Sequence, residues 1–121
     1  RSNGLLSRDY LFVEDAVAGY VKLAESDKVG AFNFGTGQPH SVLEVVQTIL
    51  RLTGSDLTPE IQDTARNEIH SQYLDCSKAR TELRSPMDAV AGVDGWEPRY
   101  TLAEGLRETI PWYREYLKES K

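Results

Sequence analysis

An α/β fold of short strands with packed helices is predicted for this chain, and three observations carry that prediction. Two brief β-branched and aromatic runs, residues 10–13 (Tyr-Leu-Phe-Val) and 31–34 (Ala-Phe-Asn-Phe), alternate with longer stretches of helical periodicity. Ser41 and Glu44 stand in capping-box spacing ahead of Val42, Val45, Val46, Ile49 and Leu52, an apolar face that Gly54 ends. Thr101 and Glu104 repeat that spacing ahead of Leu102, Leu106, Thr109, Ile110, Tyr113 and Leu117.

In chain order, residues 1–7 read as a polar lead-in, either a loop or an incomplete edge strand. Strand 10–13 follows, with Arg8 at its mouth, where a long cation can reach a ligand while the strand behind it stays fixed. Glu14 and Asp15 suit the positive N-terminal end of a helix running to Ala24, on which Val13, Val17, Tyr20, Val21 and Ala24 form one apolar face. Residues 27–30 turn the chain into strand 31–34, which Gly35-Thr36-Gly37-Gln38-Pro39 breaks. That Gly-x-Gly lacks the third glycine of a dinucleotide fingerprint, so a tight turn is its expected role.

Beyond the helix at 41–53, a short strand is expected around Glu60-Ile61-Gln62, then a polar loop over 64–68 and an extended stretch over 69–74. Asp75 or Ser77 caps a short helix to Leu83, and residues 84–95 read as loop. Pro111 falls inside the last helical pattern and should kink or restart it, since its ring removes a backbone donor. Trp96 and Trp112 are expected in the core.

Length and composition bound the function. At 121 residues and 40 % hydrophobic content the chain suits one small domain, too short for a nucleotide-binding lobe plus a substrate lobe. No apolar run approaches the roughly eighteen residues of a membrane span, so no membrane partner is expected. Net charge of −5 disfavours nucleic acid, and any anionic ligand must be held by local arginines. The single Cys76 excludes an intramolecular disulfide and a cysteine metal cluster, which suits the cytoplasm. The chain starts Arg-Ser-Asn and its only methionine is Met87, so it is expected to be a piece of a larger protein.

No catalytic set is legible. His40 and His70 lack metal-ligand spacing, and Cys76 reads as a small helix-start residue. No tyrosine is followed four residues later by a lysine.

Four motifs nevertheless occur in a telling order: Arg8-Asp9-Tyr10-Leu11-Phe12-Val13-Glu14-Asp15, Phe32-Asn33-Phe34-Gly35-Thr36-Gly37, Asp75-Cys76-Ser77-Lys78-Ala79-Arg80 and Gly95-Trp96-Glu97-Pro98. Together they resemble the C-terminal part of the extended short-chain dehydrogenases/reductases, the NAD-dependent sugar-nucleotide epimerases and dehydratases. Residues 67–79 are similar in wording to the CDP-glucose 4,6-dehydratase branch. The resemblance implies a small C-terminal substrate-binding lobe of an extended Rossmann-type enzyme, spanning residues 1–121, with the N-terminal dinucleotide-binding domain absent.

On that resemblance Arg8 and Arg66 grip the nucleotide-sugar pyrophosphate, guanidinium forks matching phosphate oxygens without titrating. Gln72 lines the sugar pocket, with Asn67 and His70 beside it. NAD would be bound by the N-terminal domain of the parent, which would oxidise the sugar at C4 and eliminate water across C5 and C6. This chain alone would hold no cofactor and be inactive. The expected partners are the nucleotide sugar, the parent's own Rossmann domain and, for the parent, a second subunit. A 4-epimerase lobe, or a non-catalytic binding module of the same fold, is the alternative. The chain departs from the family pattern where residues 84–94 interrupt the usual Leu-Gly-Trp between Leu83 and Gly95.

Overall fold

The computed structural model describes residues 2–64, 66–84 and 95–119, with side chains described to residue 118. Three short strands form one mixed sheet in the order β2-β1-β3. β1 (Ser7–Asp9) lies in the middle, antiparallel to β2 (Pro39–Ser41) and parallel to β3 (Ser71–Gln72). The helices are α1 (Val13–Ala24), α2 (Val42–Thr53), α3 (Ser77–Glu82) and α4 (Leu102–Glu119).

The fold class is as expected, but the strands sit elsewhere. Pairing falls on residues 7–9 rather than 10–13, because the chain leaves the sheet after Asp9 and Phe12 already N-caps α1. Residues 31–34 form no strand: Phe32 and Phe34 pack against the core, and Asn33 Nδ2 donates to the Asp75 carbonyl at 3.1 Å. Their aromatic alternation serves packing rather than a hydrogen-bonded ladder. The expected strand around Ile61 is also irregular, with Ile61 54 % exposed. Pro39 opens β2 instead of breaking the chain, a position an edge strand tolerates.

Both capping boxes form as read. Ser41 N donates to Glu44 Oε2 at 2.6 Å and Glu44 N to Ser41 Oγ at 3.1 Å, while Gly54 ends α2 at φ 67°. At α4, Thr101 N donates to Glu104 Oε2 at 2.9 Å, and the helix continues through Pro111 without restarting. α2 and α4 pack on each other.

The core is built from Cys76, Ala79, Leu83 and Trp96, against which Leu11, Ala18, Leu23, Phe32 and Phe34 pack. α1 faces this core with its small and polar side. Asp15 and Gly19 are buried, whereas Val13, Val17, Tyr20 and Val21 of the predicted apolar face are exposed, as is Ala24. Gly19 is the reason: a Cβ there would meet the Phe34 ring at 2.6 Å and Trp96 Nε1 at 3.0 Å. Its absence lets Phe34 and Trp96, packed edge to face at 4.9 Å, approach the helix backbone. Trp96 is core as expected, but Trp112 is 61 % exposed and stacks on Tyr116 at 5.2 Å. Tyr113 and Leu117, expected to face inward, are exposed too.

Candidate functional site

The sheet register sets Arg8 between two polar neighbours. His40 on β2 and Gln72 on β3 are its direct cross-strand partners, so the three stand in one row across the sheet. Arg8 is thus the central residue of the central strand rather than a strand-end charge. Its Nη1 donates to the Ser7 carbonyl at 2.7 Å and to the Ile69 carbonyl at 2.8 Å, and its Nη2 lies 4.0 Å from Glu68 Oε2. The guanidinium is therefore strapped to the loop that carries Arg66.

Arg66 is exposed on that loop, with Nη1 donating to the Asp63 carbonyl at 3.2 Å. Asp63 and Asn67 flank it at φ 47° and 57°, a left-handed geometry that Asp and Asn tolerate better than most residues. His70 is exposed, and its carbonyl accepts Ser7 N at 2.9 Å, closing the loop onto β1. Arg8 touches this loop two and three residues from Arg66, with Gln72 in register and Asn67 and His70 on the same short segment.

Asp9, next to Arg8, holds the surrounding backbone. It accepts from Thr36 N (2.8 Å), Thr36 Oγ1 (2.5 Å), Gly37 N (2.9 Å) and Leu74 N (3.3 Å). Burial opposes its ionisation, yet the Thr36 hydroxyl and the three N–H groups outweigh that and leave its carboxyl below the ordinary 3.8. A Cβ on Gly35 would meet Asp9 Oδ2 at 2.6 Å. Gly35 therefore admits Asp9, and the Thr36 and Gly37 N–H groups of the turn are committed to it. They are not available to a dinucleotide pyrophosphate, so this chain's residues do not fit NAD at that turn.

Two clefts lie beside the row, and only His40 of the row lines one of them. The larger, about 590 Å³, runs between residues 10–14 and α4 and is mostly apolar, with Phe12, Leu106, Trp112 and Tyr113 in its walls. The smaller, about 240 Å³, is lined by Thr36, His40, Arg80, Glu97 and Arg99 among others. Arg8, Arg66, Asn67, His70 and Gln72 line neither cleft. Sequence reading overlooked Arg80 and Arg99, which no local spacing links. Cys76 is buried at the N-cap of α3, where burial pushes its thiol up from 9.0 and away from nucleophile chemistry. Among the described residues no group of His, Cys, Asp and Glu could hold a metal ion, and no helix is long and apolar enough to cross a membrane.

This arrangement belongs to a known class. Residues 2–109 match the family described as GDP-mannose 4,6 dehydratase, so the chain belongs to the extended short-chain dehydrogenases/reductases that act as sugar-nucleotide dehydratases and epimerases. It is similar to UDP-glucuronic acid decarboxylase 1 of Arabidopsis thaliana, at 30 % identity over 93 % of this chain and 23 % of that protein. It is similar in structure to the Thermotoga maritima UDP-glucose 4-epimerase solved with UDP-glucose, at 29 % identity and TM-score 0.80, over 96 % of this chain and 34 % of that one. A third relative is dTDP-glucose 4,6-dehydratase of Bacillus anthracis, solved with NAD, at 27 % identity and TM-score 0.71, over 94 % and 33 %. The chain thus spans about a quarter to a third of the length of these relatives.

Proposed function

We propose that this chain is the C-terminal substrate-binding lobe of an NAD-dependent nucleotide-sugar dehydratase, and that Arg8 and Arg66 hold the substrate pyrophosphate. The observation that carries the reading is Arg8 itself. It is centred in the sheet row, paired with Gln72, and bonded to the Ile69 carbonyl in the loop that bears Arg66. A pyrophosphate there would accept from the guanidinium edge that faces only Glu68 at 4.0 Å among the described residues. Gln72, Asn67 and His70 would line the sugar beyond it. NAD is assigned to the rest of the parent, since the turn at residues 35–37 gives its N–H groups to Asp9.

The exposed apolar residues of α1 support a docked second domain. Val13, Val17, Tyr20 and Val21 are 49–65 % exposed on one face, a stripe suited to covering by more polypeptide. CDP-glucose is the substrate to test first, from the similarity of residues 67–79 to that branch. A 4-epimerase lobe is the second reading, favoured by the likeness to the Thermotoga epimerase. Product mass separates the two, because a dehydratase product is lighter by one water and an epimer is not.

The test is nucleotide-sugar binding by the full-length parent. Charge-assisted hydrogen bonds contribute about 1.5–3 kcal/mol each, so Arg8→Ala or Arg66→Ala should weaken binding about ten- to a hundredfold. Melting temperature should change little in Arg66→Ala and fall in Arg8→Ala, which also gives up two hydrogen bonds to backbone carbonyls. Unchanged affinity in both variants overturns the pyrophosphate role.

A further inference from the structure

The smaller cleft gathers positive charge that no described residue fully engages. Arg80, on α3, reaches over the turn at residues 36–38, where its Nη2 donates to the Thr36 carbonyl at 3.5 Å, the outer limit of a hydrogen bond. Its Nε is buried and has no hydrogen-bond partner among the described residues. The nearest carboxylate among the described residues, Glu97 Oε1, lies 3.7 Å from that nitrogen, close enough to attract and too far to accept. A guanidinium offers five N–H donors in a fixed fork, so most of this one is unspent.

Arg99 lines the same cleft. Asp15 Oδ1 accepts its backbone N–H at 2.9 Å and pins the residue in place, while its guanidinium has no ion pair among the described residues. His40 and the Thr36 hydroxyl region complete the polar wall. Two arginines and a histidine thus line about 240 Å³ with one carboxylate, Glu97, in the wall, while Asp75 and Glu44 act on Arg80 and His40 from outside it, within a chain of net charge −5. Were the ion pair purely structural, Glu97 would be expected to close onto Arg80; instead both remain half-open, with side chains 40 % and 58 % exposed.

We propose that the cleft between Arg80, Arg99 and His40 binds a small oxyanion of phosphate size, at a site that shares only His40 with the Arg8 row. The oxyanion is shared between the partly exposed Arg80 guanidinium, which Glu97 approaches without accepting from it, and the Arg99 fork. Planar guanidinium groups suit tetrahedral and planar oxyanions, and their charge does not titrate away. This site stands whatever sugar nucleotide the parent uses, because none of the residues assigned to pyrophosphate lines the cleft.

Titrating inorganic phosphate into the ¹⁵N-labelled protein at fixed ionic strength tests it, read on the Arg Nε–H resonances. Saturable shifts of the Arg80 and Arg99 signals are expected with phosphate, and none with sodium chloride. Arg99→Gln should weaken phosphate about tenfold, the loss of one charge-assisted contact, and Glu97→Gln should tighten it by removing the competing carboxylate. Arg8→Ala should leave the Arg80 shift intact. Arg99 is exposed, so its variant keeps the test usable where Arg80→Gln unsettles the fold. Equal shifts with chloride, loss of the Arg80 response in Arg8→Ala, or an unchanged affinity in both Arg99→Gln and Glu97→Gln would overturn the proposal.

Discussion

The Asp15 carboxylate accepts the Tyr100 N–H at 3.1 Å, joining α1 to a segment 85 residues further along the chain. Its other oxygen accepts Arg99 N at 2.9 Å, and its backbone carbonyl accepts Trp96 Nε1 at 2.9 Å. At 2 % exposure this is a tertiary anchor rather than a helix-end charge. Asp15→Ala leaves two N–H groups without an acceptor and should cost about 2–4 kcal/mol, read by urea unfolding. A helix-dipole role alone is worth about 0.3–1 kcal/mol, so a loss that small would restore the simpler reading.

Asp9 sets a pH dependence of known sign. Burial raises its carboxyl and the four donated hydrogen bonds lower it further, so its folded value lies under 3.8. A group depressed on folding stabilises the fold fully above its ordinary value and loses that contribution as pH falls through the folded one. Wild type should therefore lose stability on acidification below about pH 4 more steeply than Asp9→Asn, which is weaker at pH 7. Parallel stability–pH curves for the two proteins would refute this.

What the sequence made legible was local chemistry. Ser41–Glu44 and Thr101–Glu104 formed as read, because both halves of a capping box lie within one turn. Arg8 was singled out as a residue of interest, but its position in the strand was misread, since the pairing that defines β1 comes from residues 39–41 and 71–72. Asp9 and Asp15 stayed hidden for the same reason: their donors lie 27 to 85 residues away, and no local spacing announces them. Trp96 and Trp112 look alike as letters; only the glycine gap at Gly19 seats one of them. The larger apolar residues of α1 misled because size normally marks the inward face, whereas here close approach of Phe34 selects the small one.

That inversion predicts an unusual contrast. Val17 is 53 % exposed and Leu83 is 3 % exposed, although both look like core positions on paper. Val17→Ser should alter stability by about 0.5 kcal/mol or less, as surface substitutions do. Leu83→Ala should cost about 2–5 kcal/mol through lost contact and a cavity. Denaturant midpoints of the two variants decide it: comparable losses would mean that α1 buries its larger side after all.

Gly95 is where the chain returns to close the core. Its N–H donates to the Arg80 carbonyl at 2.7 Å, and Trp96 N donates to the Ala79 carbonyl at 3.2 Å, so the pair caps the C-terminal end of α3. A Cβ on Gly95 would meet the Ala79 carbonyl oxygen at 2.7 Å and the Arg80 carbonyl oxygen closer still. These are backbone atoms that cannot rotate aside, so the strand of chain must lift, weakening both hydrogen bonds and unseating Trp96. Gly95→Ala should thus cost about 2–4 kcal/mol and diminish the near-ultraviolet dichroism of the buried indole. Gly54→Ala is the control, because a Cβ there meets nothing within 4 Å and only the left-handed φ of 67° is strained. That strain is worth about 1–2 kcal/mol and leaves Trp96 untouched. If Gly95→Ala proves no less stable than Gly54→Ala, with the Trp96 signal intact, the close crossing of α3 by residues 95–96 is wrong.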